Sequence, residues 1–125
     1  MTENELSGEI IGAAIEVHRV LGPGLLESIY EEAFTMELQD RNLLVSRQIE
    51  IPVLYKGRRL QNVLRLDLLV ANLIVVEVKS VERILPVHEA QLLSYLRLTQ
   101  KKLGLLINFN STVLSKSVRR IVNKL

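Results

Sequence analysis

Residues 65–80 read RLDLLVANLIVVEVKS, and the way this stretch pairs decides the fold. Two apolar runs flank Ala71 and Asn72, which predicts two antiparallel strands joined by a small turn. Side chains alternate along a strand, so Arg65 and Asp67 share one face, opposed by Leu64, Leu66, Leu68 and Val70. Glu77 and Lys79 likewise share a face, with Val76 and Val78 on the other. A two-residue Ala71-Asn72 loop would pair Leu66 with Glu77 and mix apolar with charged side chains. A register one residue different pairs Val70 with Ile74, Leu68 with Val76 and Leu66 with Val78. Burial selects the second, because a one-residue slip exposes a whole apolar face. It requires an odd number of loop residues near Asn72, or a bulge. Leu66, Leu68, Val76 and Val78 are then expected on one buried face, with Asp67, Glu77 and Lys79 on the opposite one.

This register sets Asp67 directly opposite Glu77, with β-carbons about 4.5–5.5 Å apart. Like charges so placed destabilise a sheet unless a cation sits between them or one acid holds a proton. A hard divalent ion such as Mg²⁺ takes one or two carboxylates together with phosphate oxygens and water. Lys79, on the same face, is placed to hold an attacking water or to steady developing phosphoryl charge. The hairpin alone leaves an alternative open: diagonal pairs, Asp67 with Lys79 and Glu77 with Arg65, form a solvated charge lattice that does no chemistry.

Outward from the hairpin, the chain reads as one domain spanning 1–125. Leu6, Ile10, Ala13, Val17 and Val20 recur at helical spacing and predict a helix over about 4–20. It stops at LGPG, 21–24, and a second helix over about 25–40 is expected to bury Leu26, Ile29, Ala33 and Met36. SRQIEIPVLYKG then reads as a strand with Ile49, Ile51 and Val53 on one face, ending at a Lys56-Gly57 turn. Pro86 suits the first turn of a third helix to about residue 100. LGLLINF, almost wholly apolar, reads as a strand covered on both faces, which the preceding helix can bring parallel to an earlier strand. Val118, Ile121, Val122 and Leu125 are taken to mark a short terminal helix. The expected order is helix, helix, three strands, helix, strand, helix, an α/β chain with a mixed four-stranded sheet.

Apolar residues make up 48% of the chain and aromatics only 4%, so the core rests on Leu, Ile and Val. A net charge of +2 permits nucleic-acid contact without requiring it. The absence of cysteine excludes disulfides and thiolate metal sites. The polar start MTENELSGEI is unlike a signal peptide, and no apolar run reaches the ~18 residues of a membrane span. A soluble, cytoplasmic protein that does not enter the membrane is the expectation.

Asp67, nine intervening residues and then Glu77-Val78-Lys79, within this order of elements, resembles the PD-(D/E)XK nuclease superfamily. GLLESIY, 24–30, spells G-x-x-E-x-x-Y, the signature of the GxxExxY family within it. RLDLLV, HEAQLLSYL (88–96) and LGLLINF (103–109) look like further segments of that family. The resemblance runs from about Ile10 to Val122 and departs from the superfamily name only at Leu66, where the name has proline. It implies a PD-(D/E)XK nuclease-like core and a nuclease that depends on Mg²⁺ or Mn²⁺ and acts on nucleic acid, DNA foremost. It implies Asp67 and Glu77 as metal-binding acids, Glu27 as the helix glutamate completing such sites, and Lys79 as the lysine of the catalytic motif. Gln91 and Tyr95 match a Q-x-x-x-Y pattern on the helix after the catalytic strand.

The residues by themselves support these additions in part. Periodicity does not single out Glu27 from Glu31 or Glu37, and alone it reads as a solvated helix acid. Gln91 and Tyr95 are helical neighbours, beside His88 and Thr99, and such a polar stripe matters only if it overlooks Asp67 and Glu77. His18 and His88, 70 residues apart, have no ligand spacing; both read as structural or surface residues, with His88 also a candidate for phosphate contact. Gly22-Pro23-Gly24 lacks the ending of a phosphate loop and serves to turn the chain. Lys56, Arg58 and Arg59, then Lys101 and Lys102, then Lys116, Arg119, Arg120 and Lys124, are clusters able to track a phosphate backbone or simply to stay solvated. Two other readings remain: a nucleic-acid- or partner-binding module that keeps the fold without cleaving, and a purely structural domain. A protein partner could supply specificity, and cutting both strands of a duplex would favour a homodimer.

Overall fold

The computed structural model describes residues 1–124. Helices α1 (Glu3–Leu21) and α2 (Glu27–Asp40) precede strands β1 (Val45–Tyr55), β2 (Arg58–Val70) and β3 (Ile74–Lys79). Helix α3 (Pro86–Thr99), strand β4 (Leu103–Asn108), a 3₁₀ turn (Leu114–Ser117) and strand β5 (Val118–Val122) follow. The sheet is mixed, in the order β1-β2-β3-β4-β5, with only the β3–β4 pair parallel. Helix α3 is the crossover that such a parallel pair needs.

The register chosen by burial is the one observed: Val70 pairs with Ile74, Leu69 with Val75 and Leu68 with Val76. The loop has three residues, Ala71 to Leu73, and Ala71 and Asn72 both take positive φ (52° and 56°). The sheet separates two apolar layers. On one side Leu68, Val70, Val76, Val78, Leu105 and Ile107 pack under α1 and α2. On the other, Leu66, Val75 and Leu106 pack with Leu92 and Leu96 of α3. Strand β4 is buried along its whole length. At Gly104 an added Cβ would lie 2.9–3.0 Å from the Leu92 side chain, so α3 sits this close because that residue is glycine.

Four expectations are corrected. The sheet has five strands, because the terminal segment is a strand and not a helix; Leu125 lies outside the described residues. β-Branched Val118, Ile121 and Val122 suit a strand, and β5 satisfies the backbone edge that the wholly buried β4 would otherwise leave bare. Second, α2 does not bury Leu26, Ile29 and Met36, which are exposed; it buries Tyr30, Phe34 and Leu38. The aromatic stripe wins because Tyr30 stacks on Phe109 at 4.8 Å and Phe34 meets the same ring edge-on at 5.7 Å. Third, Val20 lies on the exposed side of α1. Fourth, Leu66 packs in the α3 layer and not with Leu68, Val76 and Val78. Strict alternation breaks at Asp67 and at its neighbour Gln48 in β1, which takes φ 48° and falls in the gap between the paired Arg47↔Leu68 and Ile49↔Leu66. Beyond that kink Ile49, Ile51, Leu64 and Leu66 all face α3.

Candidate active site at the end of the central strands

The regular β2–β3 ladder stops at Leu68↔Val76. In its place the Asp67 N–H donates to Glu77 Oε2 at 2.9 Å, and the Val78 N–H donates to Asp67 Oδ2 at 2.9 Å. Each strand thus closes on an acid of the other. Glu77 is buried, at 5% exposure, and neither carboxylate has a Lys or Arg nitrogen within 4.0 Å among the described residues. Burial, then the facing Asp67, pushes the Glu77 carboxyl up to about 8. Burial also raises Asp67, with Glu31 and Glu27 adding to it, against the hydrogen bond from Val78 and the charge of Lys79. The conflict inherent in the register is therefore eased by backbone donors and by the raised Glu77 pKa, which favours the protonated carboxyl.

Lys79 follows two residues later, and its surroundings are fixed from both sides. The Phe109 N–H donates to the Lys79 carbonyl at 2.9 Å. Buried Asn108 ties down the loop after it, accepting from the Val81 N–H at 3.1 Å and donating to the Val81 carbonyl at 2.9 Å. Ser80 anchors to the start of α2: its N–H donates to Glu27 Oε1 at 3.2 Å and its hydroxyl to the Leu25 carbonyl at 2.6 Å. The three marked residues of GLLESIY each have a physical task here. Gly24 takes φ 95°, which disfavours any side chain. The Tyr30 hydroxyl donates to the Gly22 carbonyl and accepts from the Leu25 N–H, closing the turn. Glu27, the first residue of α2, is thereby delivered to Ser80.

Two residues missed in the sequence join this corner. Glu31, one turn after Glu27, is buried at 7% exposure, and its two carboxylate oxygens accept from the Gln48 side-chain amide at 2.9 and 3.0 Å. Gln48 also reaches Asp67 Oδ1 at 3.5 Å, and Arg47 reaches Glu31 at 3.4 Å. The i, i+4 spacing from Glu27 was the available signal for Glu31. Nothing in the sequence marked Gln48, whose place depends on the kink.

Helix α3 brings its polar stripe to the same end. Lys79, His88, Gln91 and Ser94 line an open cleft of about 550 Å³. Tyr95 packs against the α3 layer, and its hydroxyl pKa is raised by burial and then by Glu77 and Asp67. His88 Nδ1 accepts the Leu85 N–H at 3.0 Å, holding the start of α3. His18 is structural, its Nε2–H donating to the Ser111 carbonyl at 2.7 Å. A second cleft of about 400 Å³ opens beside Glu27 and Ser80. The basic residues Lys101, Lys102 and Lys124 line a separate hollow with Arg97 at the opposite end of β3 and β4.

Among the described residues, no three His, Asp or Glu side chains converge as a metal cluster, and Glu27 stands on Ser80 rather than with Asp67 and Glu77. The donor chemistry nonetheless suits a hard cation. Each acid spends one oxygen on a backbone N–H; among the described residues Glu77 Oε1 takes no protein hydrogen bond and no buried polar side-chain atom lacks a partner, so Oε1 reaches solvent. Two carboxylates are what Mg²⁺ commonly takes when phosphate oxygens and water complete its shell.

No helix among the described residues is long and apolar enough to cross a membrane. No curated protein and no solved structure matches the chain at a significant level. One family model does match, over residues 4–121, and this span takes in all of α2, the opened β2–β3 pair and α3. By that match the chain belongs to the PD-(D/E)XK nuclease superfamily.

Proposed function

We propose that the protein is a Mg²⁺- or Mn²⁺-dependent nuclease that hydrolyses phosphodiester bonds of nucleic acid, DNA foremost, and that it is a GxxExxY member of its superfamily. The observation that carries this reading is the opening of the β2–β3 ladder around buried Glu77 and half-buried Asp67, neither ion-paired among the described residues, with Lys79 on the strand of Glu77. Asp67 and Glu77 would hold the ion, with Glu27 assisting from its place on Ser80. When bound, the ion supplies positive charge to the scissile phosphate and acidifies a water. The Lys79 ammonium orients the attacking water and donates to phosphoryl oxygens as their charge grows. Its fixed backbone limits the entropy lost in doing so. Gln91, which lines the same cleft as Lys79, donates to a phosphate oxygen, and the Tyr95 hydroxyl, one turn further along α3 and kept neutral, is a second donor. Superfamily membership supports the nuclease reading as a class.

The test is cleavage of labelled DNA and RNA, single- and double-stranded, in Mg²⁺ or Mn²⁺. Wild type is expected to cut, and Lys79→Ala to lose activity by about 10²-fold or more while still binding substrate in Ca²⁺. Equal inactivity of both proteins, with equal binding, would replace this reading with a binding module.

A further inference from the structure

We infer that the outer half of the β1–β2 hairpin is a groove-reading arm, so that the substrate is B-form duplex DNA. This deepens the nuclease reading and rests on it for the scissile phosphate, although the arm can be tested without turnover. Strand β3 ends at Lys79, whereas its antiparallel neighbour β2 runs back to Arg58, so the hairpin extends past the end of the sheet that carries the acids. Residues 58–63 of β2 are all exposed. Leu54 and Leu60 are 62% and 42% exposed.

The tip is a two-residue turn with positive φ at Lys56 and Gly57 (51° and 78°), flanked by the pairs Tyr55↔Arg58 and Leu54↔Arg59. It concentrates Lys56, Arg58 and Arg59, and none of them has a carboxylate within 4.0 Å among the described residues. Arg65, nearer the base, is already paired with Glu50 at 2.8 Å. A bare two-stranded ribbon is marginal in water, and three uncompensated cations on it add repulsion. That arrangement suits a polyanion.

Shape narrows the choice. A two-stranded ribbon fits the ~12 Å major groove of B-DNA, whereas the A-form major groove of duplex RNA is too deep and narrow for it. Single strands are bound on successive aromatic platforms, and the tip has one aromatic, Tyr55, with Lys56 Nζ 5.4 Å from its ring centre. Asp67 to the turn is roughly 30 Å of strand, within one ~34 Å turn of duplex.

The experiment measures affinity in Ca²⁺ for a DNA duplex, an RNA duplex and a DNA single strand over a range of KCl. Wild type is compared with the triple variant Lys56→Ala, Arg58→Ala, Arg59→Ala, and an unchanged melting temperature confirms folding. On duplex DNA the variant should bind about tenfold or more weakly, with a salt slope shallower by about 2–3; binding to the other two should change little. An unchanged duplex-DNA slope, equal losses on all three substrates, or no binding of duplex DNA by wild type would overturn the inference. Arm-dependent duplex binding by a wild type that cuts nothing would instead count against the nuclease reading alone.

Discussion

The two ends of the β2–β3 pair are built from the same two strands and opposite chemistry. Next to the loop, Val70↔Ile74, Leu69↔Val75 and Leu68↔Val76 form a regular apolar ladder. One residue further on, the ladder gives way to carboxylates accepting the Asp67 and Val78 N–H groups. The first end is held by burial and backbone pairing. The second end satisfies its donors but confines two acids where water is scarce, raising both pKa values. A site of this kind gives up local stability for reactivity, and a cation entering it would recover part of what was given up.

The largest effect expected lies at the apolar end. Leu68→Ala removes a side chain buried at 0% exposure and should cost about 2–5 kcal/mol, read as a melting temperature lower by roughly 10 °C or more. Asp67→Asn, one residue away, should leave the melting temperature in EDTA unchanged or raised, since it removes repulsion while the amide oxygen can still accept from Val78. It should instead lose most of the stabilisation that Mg²⁺ or Mn²⁺ adds to wild type, about 2.7 kcal/mol at a hundredfold excess over Kd. If the two variants lose equal stability without metal, Asp67 is a structural residue and the contrast between the two ends collapses. If neither ion stabilises wild type, the cation site fails.

The register was legible because it rests on burial: only one pairing keeps Leu68, Val70, Ile74 and Val76 out of water. Facing acids follow from it arithmetically, and the observed ladder leads directly to them. The kink at Gln48 was not legible, since positive φ at glutamine has no sequence signal, and with it went the layer of Leu66 and the Gln48–Glu31 contact. The face of α2 was misread because aliphatic residues at 26, 29, 33 and 36 compete with the Tyr30-Phe34-Leu38 stripe. Phe109, a partner distant in sequence, decided that competition. The tail was read as a helix because its spacing allowed one, and the need of β4 for an edge partner is invisible locally.

The most direct test of the claim that this opening is a strained cation site is the titration of Glu77 itself, by NMR of its labelled side-chain carboxyl. In EDTA the midpoint should lie near 8, against about 4.5 for an unperturbed glutamate. Between those values the folded protein holds a proton that the unfolded chain has released. Stability from this group is therefore full below about 4.5 and falls as pH rises towards 8. Glu77→Gln should flatten that decline, and Mg²⁺ should pull the wild-type midpoint below neutrality because it competes with the proton. A midpoint at the ordinary carboxylate value, unmoved by Mg²⁺, would contradict the account.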